Sequence, residues 1–371
     1  MIKLTANGTY LVNGKPSPVA PLSAEQARKN TIAYSIMSAH NVSDTEGQMR
    51  IKFDALASHD ITYVGIIQTA RASGLREFPN PYAMTNCHNS LCAVGGTINE
   101  DDHVFGLSAA KKYGGIYVPA NQSVIHSFAR EELAGCGKMI LGSDSHTRYG
   151  ALRTMGIGEG GPELVKQLLK NTYDIKTPEV VLVYLTGKPR RGIGPHDVAI
   201  ALVGATFEGG FAKNKVLEFV GPGVKNLSID FRNGIDVMTT ETTCLSSIWE
   251  TDEVVKKHYE THGRPEDYRE LRPGDVAYYD AMIEIDLDKM ESMIALPFHP
   301  SNAYTIHEFL ENADEILAKV EEEASKKFGK CKLDLRSKVK KNGVLADQGI
   351  IAGCAGGMFD SIDEAAAILK D

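Results

Sequence analysis

The chain lacks a basic surplus. Its 40 Lys and Arg stand against 48 Asp and Glu, a formal net charge of −8 over 371 residues. No Lys/Arg cluster occurs outside a short stretch around Arg336–Lys341, so the basic stripe that nucleic acid requires is missing and such a partner is excluded. Long apolar runs are missing too. The strongest, Val180–Leu185 and Val198–Val203, are far too short to span a bilayer, and the opening residues lack the apolar core of a secretory signal. No membrane partner is expected. Cysteine is dispersed, at 87, 92, 136, 244, 331 and 354, with no C-x-x-C. That excludes a disulfide framework and suits free thiols in a reducing cytoplasm. What is present, 43% hydrophobic and 24% charged residues, describes a globular protein long enough for two or three domains.

Short apolar runs alternate with amphipathic stretches, which predicts an α/β fold of layered α/β/α domains with mainly parallel sheets. Buried strands are expected at Ile61–Ile67, Gly115–Pro119, Lys138–Gly142 and Val180–Leu185, with helices at Ser123–Leu133 and Glu163–Asn171. A first domain is thus expected over 1–187, closing before the Lys188-Pro189-Arg190-Arg191 turn. The second, 188–305, carries a helix from His196 to about Thr206, a strand at Val216–Val220, a helix starting near Ser228 and a strand at Ala277–Leu287. From Ile306 to Gly329 the chain turns rich in Glu, Lys and Ala, a solvated helix with opposite charges at i,i+4. The remainder of 306–371 opens a third unit with a strand at Gln348–Ala352 and a helix at Ser361–Leu369. One strand and one helix close no layer, so this unit reads as incomplete.

The densest polar cluster is Gly142-Ser143-Asp144-Ser145-His146-Thr147. It follows the apolar run Met139–Leu141, so its side chains belong at the carboxyl end of a parallel strand, where open α/β sheets place ligands. A carboxylate, a hydroxyl and an imidazole in succession suffice for acid–base chemistry; a helix-capping turn is the competing explanation. Downstream, Gly156-Ile157-Gly158-Glu159-Gly160-Gly161 spells G-x-G-x-x-G. It does not directly follow a strand, and Glu159 sets a negative charge inside the would-be phosphate loop, so a nicotinamide site is rejected. These glycines instead permit close packing under the Asp144–Thr147 loop. Gln68, His126 and Glu241 are further isolated polar candidates. A divalent metal on Cys87, His88 and Cys92, with Asp144, matches no common zinc spacing.

The run Met139–Thr147 resembles the first signature of the aconitase superfamily. The resemblance continues through Val180–Gly187, Phe219–Val224, Met238–Ser247 and Asp347–Gly356 and covers the chain from about Ile61 onward. It implies an aconitase-like α/β fold and a hydro-lyase of di- or tricarboxylic hydroxy acids. It also implies a 4Fe–4S cluster held by three cysteines, with one iron open to a small-molecule carboxylic acid. On this resemblance Asp144, Ser145, His146, His126 and Glu241 are catalytic, paired as His126 with Asp144 and His146 with Glu241. Gln68 matches a substrate-binding glutamine, and Cys354 falls on the first cluster cysteine.

Four departures accompany it. Asn89 and Ser90 stand where the family carries an Asp-His pair, and Ala355-Gly356 replaces the Thr-Asn after the first cysteine. Val237 stands for an asparagine. Arg148 and Arg153 add cations beside the loop, with Asn89, Ser90 and Arg148 as candidate substrate contacts. The remaining cluster cysteines are expected beyond Asp371, in further domains of the same protein. A single thiolate cannot hold four irons. The expectation is therefore an N-terminal portion, inactive alone, with no cluster bound and Cys354 a free thiol. That thiolate would be favoured by the N-terminus of the helix near Ser361. The alternative is a non-catalytic carboxylate-binding protein on the same scaffold, favoured by Arg148 and Arg153.

Overall fold

The computed structural model describes residues 1–87, 97–330 and 332–370. Asn89 and Ser90 lie outside the described residues, as do His88 and Cys92. Two five-stranded sheets carry the fold. The first runs in the order Ile116–Val118, Tyr82–Thr85, Ala55–His59, Met139–Gly142, Met155–Gly158, every pair parallel. The second runs Ile2–Thr5, Ala281–Asp286, Val180–Thr186, Val216–Val220, Ser246–Trp249, antiparallel only at its Ile2–Thr5 edge. The α/β expectation with mainly parallel sheets holds.

The domain boundary expected at 187/188 cuts across this second sheet, since Val180–Thr186 and Ile2–Thr5 both precede it. One apolar cluster also joins the sheets: Leu56, Met84 and Leu141 share it with Leu182, Val216 and Ile248. Ile32, Ile36 and Met37 of the Ile32–His40 helix complete it. That helix is anchored electrostatically. The amides of Ile32 and Ala33 donate to buried Glu218 at 3.1 and 2.8 Å, and the Tyr279 hydroxyl donates at 2.7 Å. Burial still pushes the Glu218 carboxyl up to about 7.

Several elements differ from the sequence expectation. Ile61–Ile67 is not a strand but part of the Asp60–Ala72 helix, which buries Tyr63, Ile66, Ile67 and Ala70 at helical spacing. The true strand, Ala55–His59, precedes it and is rich in small residues. The helix expected at Ser123–Leu133 begins at Ile125 and widens into a π-helical turn over Ala129–Leu133. Ala277–Leu287 divides at Asp280: Val276–Tyr279 pairs with Thr9–Val12, while Ala281–Asp286 enters the second sheet. The Glu-rich stretch is two helices, Ile306–Glu311 and Ala313–Phe328. On the latter, Glu315–Lys319 and Glu323–Lys327 pair at 2.8 Å. Residues 348–352 form no strand. Ile350 and Ile351 are 77% and 55% exposed there, with no described strand beside them to hydrogen-bond.

The segment that delivers the site's second half is rigidly held. In the Ile229–Met238 helix, capped by Ser228, Asp236 Oδ1 accepts from Ser247 Oγ at 2.7 Å and Trp249 Nε1 at 2.8 Å. Trp249 in turn stacks on Phe219. Arg232, on the same helix, is fully buried and grips Asp252 bidentately at 2.9 and 2.5 Å.

Candidate active site

In the first sheet the strand order reverses between Ala55–His59 and Met139–Gly142. Connections leave these neighbours in opposite directions, which opens a crevice beyond their carboxyl ends. His59 is the last residue of one strand, and Asp144 follows the other by two residues. Three imidazoles surround the Asp144 carboxylate. His126 Nε2 lies 3.0 Å from Oδ1, and His59 Nε2 3.5 Å from Oδ2. The His146 amide donates to Oδ1 at 2.7 Å, while its ring Nδ1 is 3.7 Å away. The other side of the His146 ring faces the second sheet's unit, with Nε2 at 2.9 Å from Glu241 Oε1. Glu241 stands in the 3-10 turn Thr239–Thr242 that ends the Ile229–Met238 helix. Thr240 Oγ1 ties that turn to the loop by donating to the Ser145 carbonyl at 2.6 Å. Ser145 Oγ lies 3.3 Å from His146 Nδ1.

The two principal imidazoles are held in opposite states. Burial drives His126 down to about 4, against its hydrogen bond to Asp144 and aided by the Arg130 cation. A carboxylate only accepts, so the neutral ring carries its proton on Nε2, and Nδ1 accepts from the Tyr149 hydroxyl at 3.2 Å. His146 is raised to about 9 by hydrogen bonding to Asp144 and Glu241. It is therefore an imidazolium at neutral pH, and its proton in turn lowers Glu241. One carboxylate thus meets one imidazole held neutral and another held charged.

Gln68 is not brought into this group. It lies on the exposed face of the Asp60–Ala72 helix. Arg148 is buried, with its terminal nitrogens engaged by the carbonyls of Thr147 and Cys244 at 2.9 and 2.8 Å, so it is not free for a ligand carboxylate. Arg153 is equally buried and bonds the carbonyls of Ala151 and Glu250. Both are struts of the scaffold. Cys354 is a half-buried free thiol in the short Gly353–Gly356 helical turn, not at a strand end. Burial raises its pKa, the opposite direction to the activated thiolate expected from a nearby helix N-terminus.

Sequence reasoning missed His59, Tyr149, Arg130 and His299. His299 Nε2 lies 3.7 Å from Glu241 Oε2, with its ring stacked on Phe207. His59 was hidden by placing the strand eight residues late; its position at a strand end is the signal that could have found it.

The glycines beneath the loop serve close approach, as their spacing suggested. A Cβ on Gly156 would stand 2.8 Å from the Thr147 carbonyl, and one on Gly158 would overlap the carbonyls of Asp144 and Ser145. Gly158→Ala is expected to cost about 2 kcal/mol through overpacking and to displace Asp144. Urea unfolding together with the histidine ring NMR signals checks this; unshifted His126 and His146 resonances would refute the displacement.

Fold and site together define an α/β protein with a histidine–carboxylate cluster at a sheet switch point. The chain belongs to the aconitase family (aconitate hydratase), whose model matches residues 34–371. It is 27% identical over 370 residues to the mitochondrial aconitate hydratase of Saccharomyces cerevisiae, covering 93% of this chain and 44% of that protein. The mitochondrial aconitate hydratase of Aspergillus fumigatus is 28% identical over 334 residues, 83% of this chain and 42% of its own length. That of Candida albicans is 28% identical over 284 residues, 71% and 36%. The chain thus spans less than half the length of these relatives. No helix among the described residues is long and apolar enough to cross a membrane.

The family implies a 4Fe–4S cluster in its full-length members. Among the described residues no group of three or more His, Cys, Asp or Glu is arranged to hold a metal ion. Cys354 offers one thiolate where a four-iron cluster needs three or four ligands. These residues alone do not fit the cluster.

Proposed function

We propose that the intact protein is a hydratase that adds or removes water at a di- or tricarboxylic hydroxy acid, with the present chain supplying its proton-donating half. The observation that carries this reading is the gathering of His126, His59 and His146 on the one Asp144 carboxylate, with His146 bridging to Glu241; the opposed pKa directions of His126 and His146 agree with it. His146, an imidazolium clamped between Asp144 and Glu241, protonates a departing hydroxyl and takes the proton back in the reverse addition. His126 has both ring nitrogens engaged, by Asp144 and Tyr149, so it orients the carboxylate rather than abstracting a proton. The base for the proton α to a carboxylate is not among the residues brought together here. We therefore propose that 1–371 alone is inactive.

The exposed Ile350, Phe359, Ile362, Ile368 and Leu369 support packing of this end against further domains of the same protein. The thiols Cys136, Cys244 and Cys354, in no disulfide among the described residues, suit a reducing compartment such as the cytoplasm, although the relatives above are mitochondrial. The alternative of a non-catalytic carboxylate binder drew on Arg148 and Arg153, both of which are engaged by main-chain carbonyls. The test is turnover of citrate-like acids by the intact protein after anaerobic iron–sulfide reconstitution, with 1–371 treated identically. Conversion by the intact protein only is expected. No conversion by either, or equal conversion by 1–371, removes the reading.

A further inference from the structure

Arg130 lies four residues beyond His126, in the π-helical turn Ala129–Leu133, and is only 5% exposed. Its Nη1 donates to the Cys354 carbonyl at 3.1 Å. Nε and Nη2 are buried and have no hydrogen-bond partner among the described residues. Those two N–H groups point to the same side of the guanidinium and form the fork that meets both oxygens of a carboxylate in parallel. A guanidinium stays charged, and leaving two of its donors unmet in the interior is costly. Its position is beside the site: it lies about one turn beyond His126, whose Nε2 meets Asp144, and its Nη1 holds the Cys354 carbonyl. The Asp144 carboxylate of the site is engaged by His126 and by the His146 amide. A thiolate or sulfide would offer one acceptor and leave one N–H unmet; a carboxylate meets both.

We propose that the Nε–H/Nη2–H fork of Arg130 receives a carboxylate beside Cys354. This rests on the hydratase reading and names the group that anchors its acid. The carboxylate belongs either to a free hydroxy acid or to a side chain of the longer protein, and the chemistry is the same. The Gly353–Gly356 turn, whose backbone holds Nη1, is the part that must yield for the fork to be reached.

The experiment follows the Arg130 Nε–H signal in arginine-labelled 1–371 titrated with citrate, alongside calorimetric affinity for wild type, Arg130→Gln and Arg130→Lys. Citrate is expected to shift the signal saturably. Arg130→Gln should weaken citrate binding about tenfold or more, and Arg130→Lys, which has no fork, should restore it only in part. Without citrate, Arg130→Gln should melt no lower than wild type, because an unpaired buried cation is removed; this separates lost binding from lost folding. In the intact protein, a signal already shifted before citrate and unmoved by it assigns the fork to a protein carboxylate, and the proposal stands. With the fork signal of the intact protein unshifted, equal citrate affinity in wild type and Arg130→Gln overturns it, as does a signal unmoved by citrate in 1–371. Failure of the reconstituted intact protein to turn over citrate-like acids removes the hydratase reading instead, and leaves a citrate-shifted fork in place.

Discussion

Asp252→Asn is expected to cost about 4 kcal/mol, the range found when one partner of a buried ion pair is removed. Two guanidinium groups depend on this carboxylate. Arg232, fully buried, takes both oxygens at 2.9 and 2.5 Å, and Arg153, also fully buried, approaches Oδ1 at 3.8 Å. Asparagine keeps the shape and keeps the cap that Asp252 provides to the Val255 amide of the Glu253–Thr261 helix. What it removes is the charge. Arg232 rides on the helix that leads into Thr239–Thr242, so the damage should reach Glu241 and loosen its contact with His146. Urea unfolding of wild type and variant measures the loss. A change under about 1 kcal/mol would show that the main-chain carbonyls already compensate both cations.

Strands buried in parallel sheets were legible because they read as near-continuous apolar runs. Val216–Val220 has the extent its sequence suggests, and Val180–Thr186 differs by one residue. The helix expected to start near Ser228 begins at Ile229, with Ser228 as its cap. Where local signals are ambiguous, partners decide. Ile61–Ile67 is apolar enough for a strand, yet only the helix turns Tyr63, Ile66, Ile67 and Ala70 to one face. Ala277–Leu287 looks continuous, but Asp280 accepts from the Val180 amide at 2.9 Å and Arg28 at 2.5 Å and separates two pairings. Neither partner is local in sequence. The same holds in the site. The acid–histidine spacing was visible through resemblance, whereas the burial that silences Arg148 and orphans Arg130 is a tertiary fact. Residue type alone made Arg148 and Arg153 candidates and left Arg130 unremarked.

Asp144→Asn is the variant that reaches furthest into function. The carboxylate accepts from His126 and from the His146 amide and faces His59, so its charge sets the state of the whole group. At pH 6–7 its neutralisation is expected to cost about 3 kcal/mol, from lost charge-assisted hydrogen bonds in a nearly buried place. The sign of the pH dependence follows from His146. Its folded pKa, about 9, lies above the ordinary 6.5, so its contribution is complete below pH 6.5 and is lost as pH rises toward 9. The His146 side chain is 36% exposed, so solvent screening discounts its share. His126 acts on the other side. Held down to about 4, it resists a proton that the unfolded chain accepts below 6.5, so its neutral state contributes stability that fades from pH 6.5 to 4. The site's contribution should therefore be greatest near neutrality. The wild-type minus Asp144→Asn difference should shrink as His146 deprotonates, to roughly half or less at pH 10. Denaturant unfolding from pH 5 to 10, with histidine ring NMR to follow each imidazole, measures both limbs. In Asp144→Asn the His146 midpoint should fall from about 9 toward its ordinary value, and hydration by the reconstituted intact protein should fall about 100-fold or more. A stability difference flat from pH 6 to pH 10 would mean that Glu241 alone holds the His146 proton, and the assignment of Asp144 as the organising carboxylate would fall.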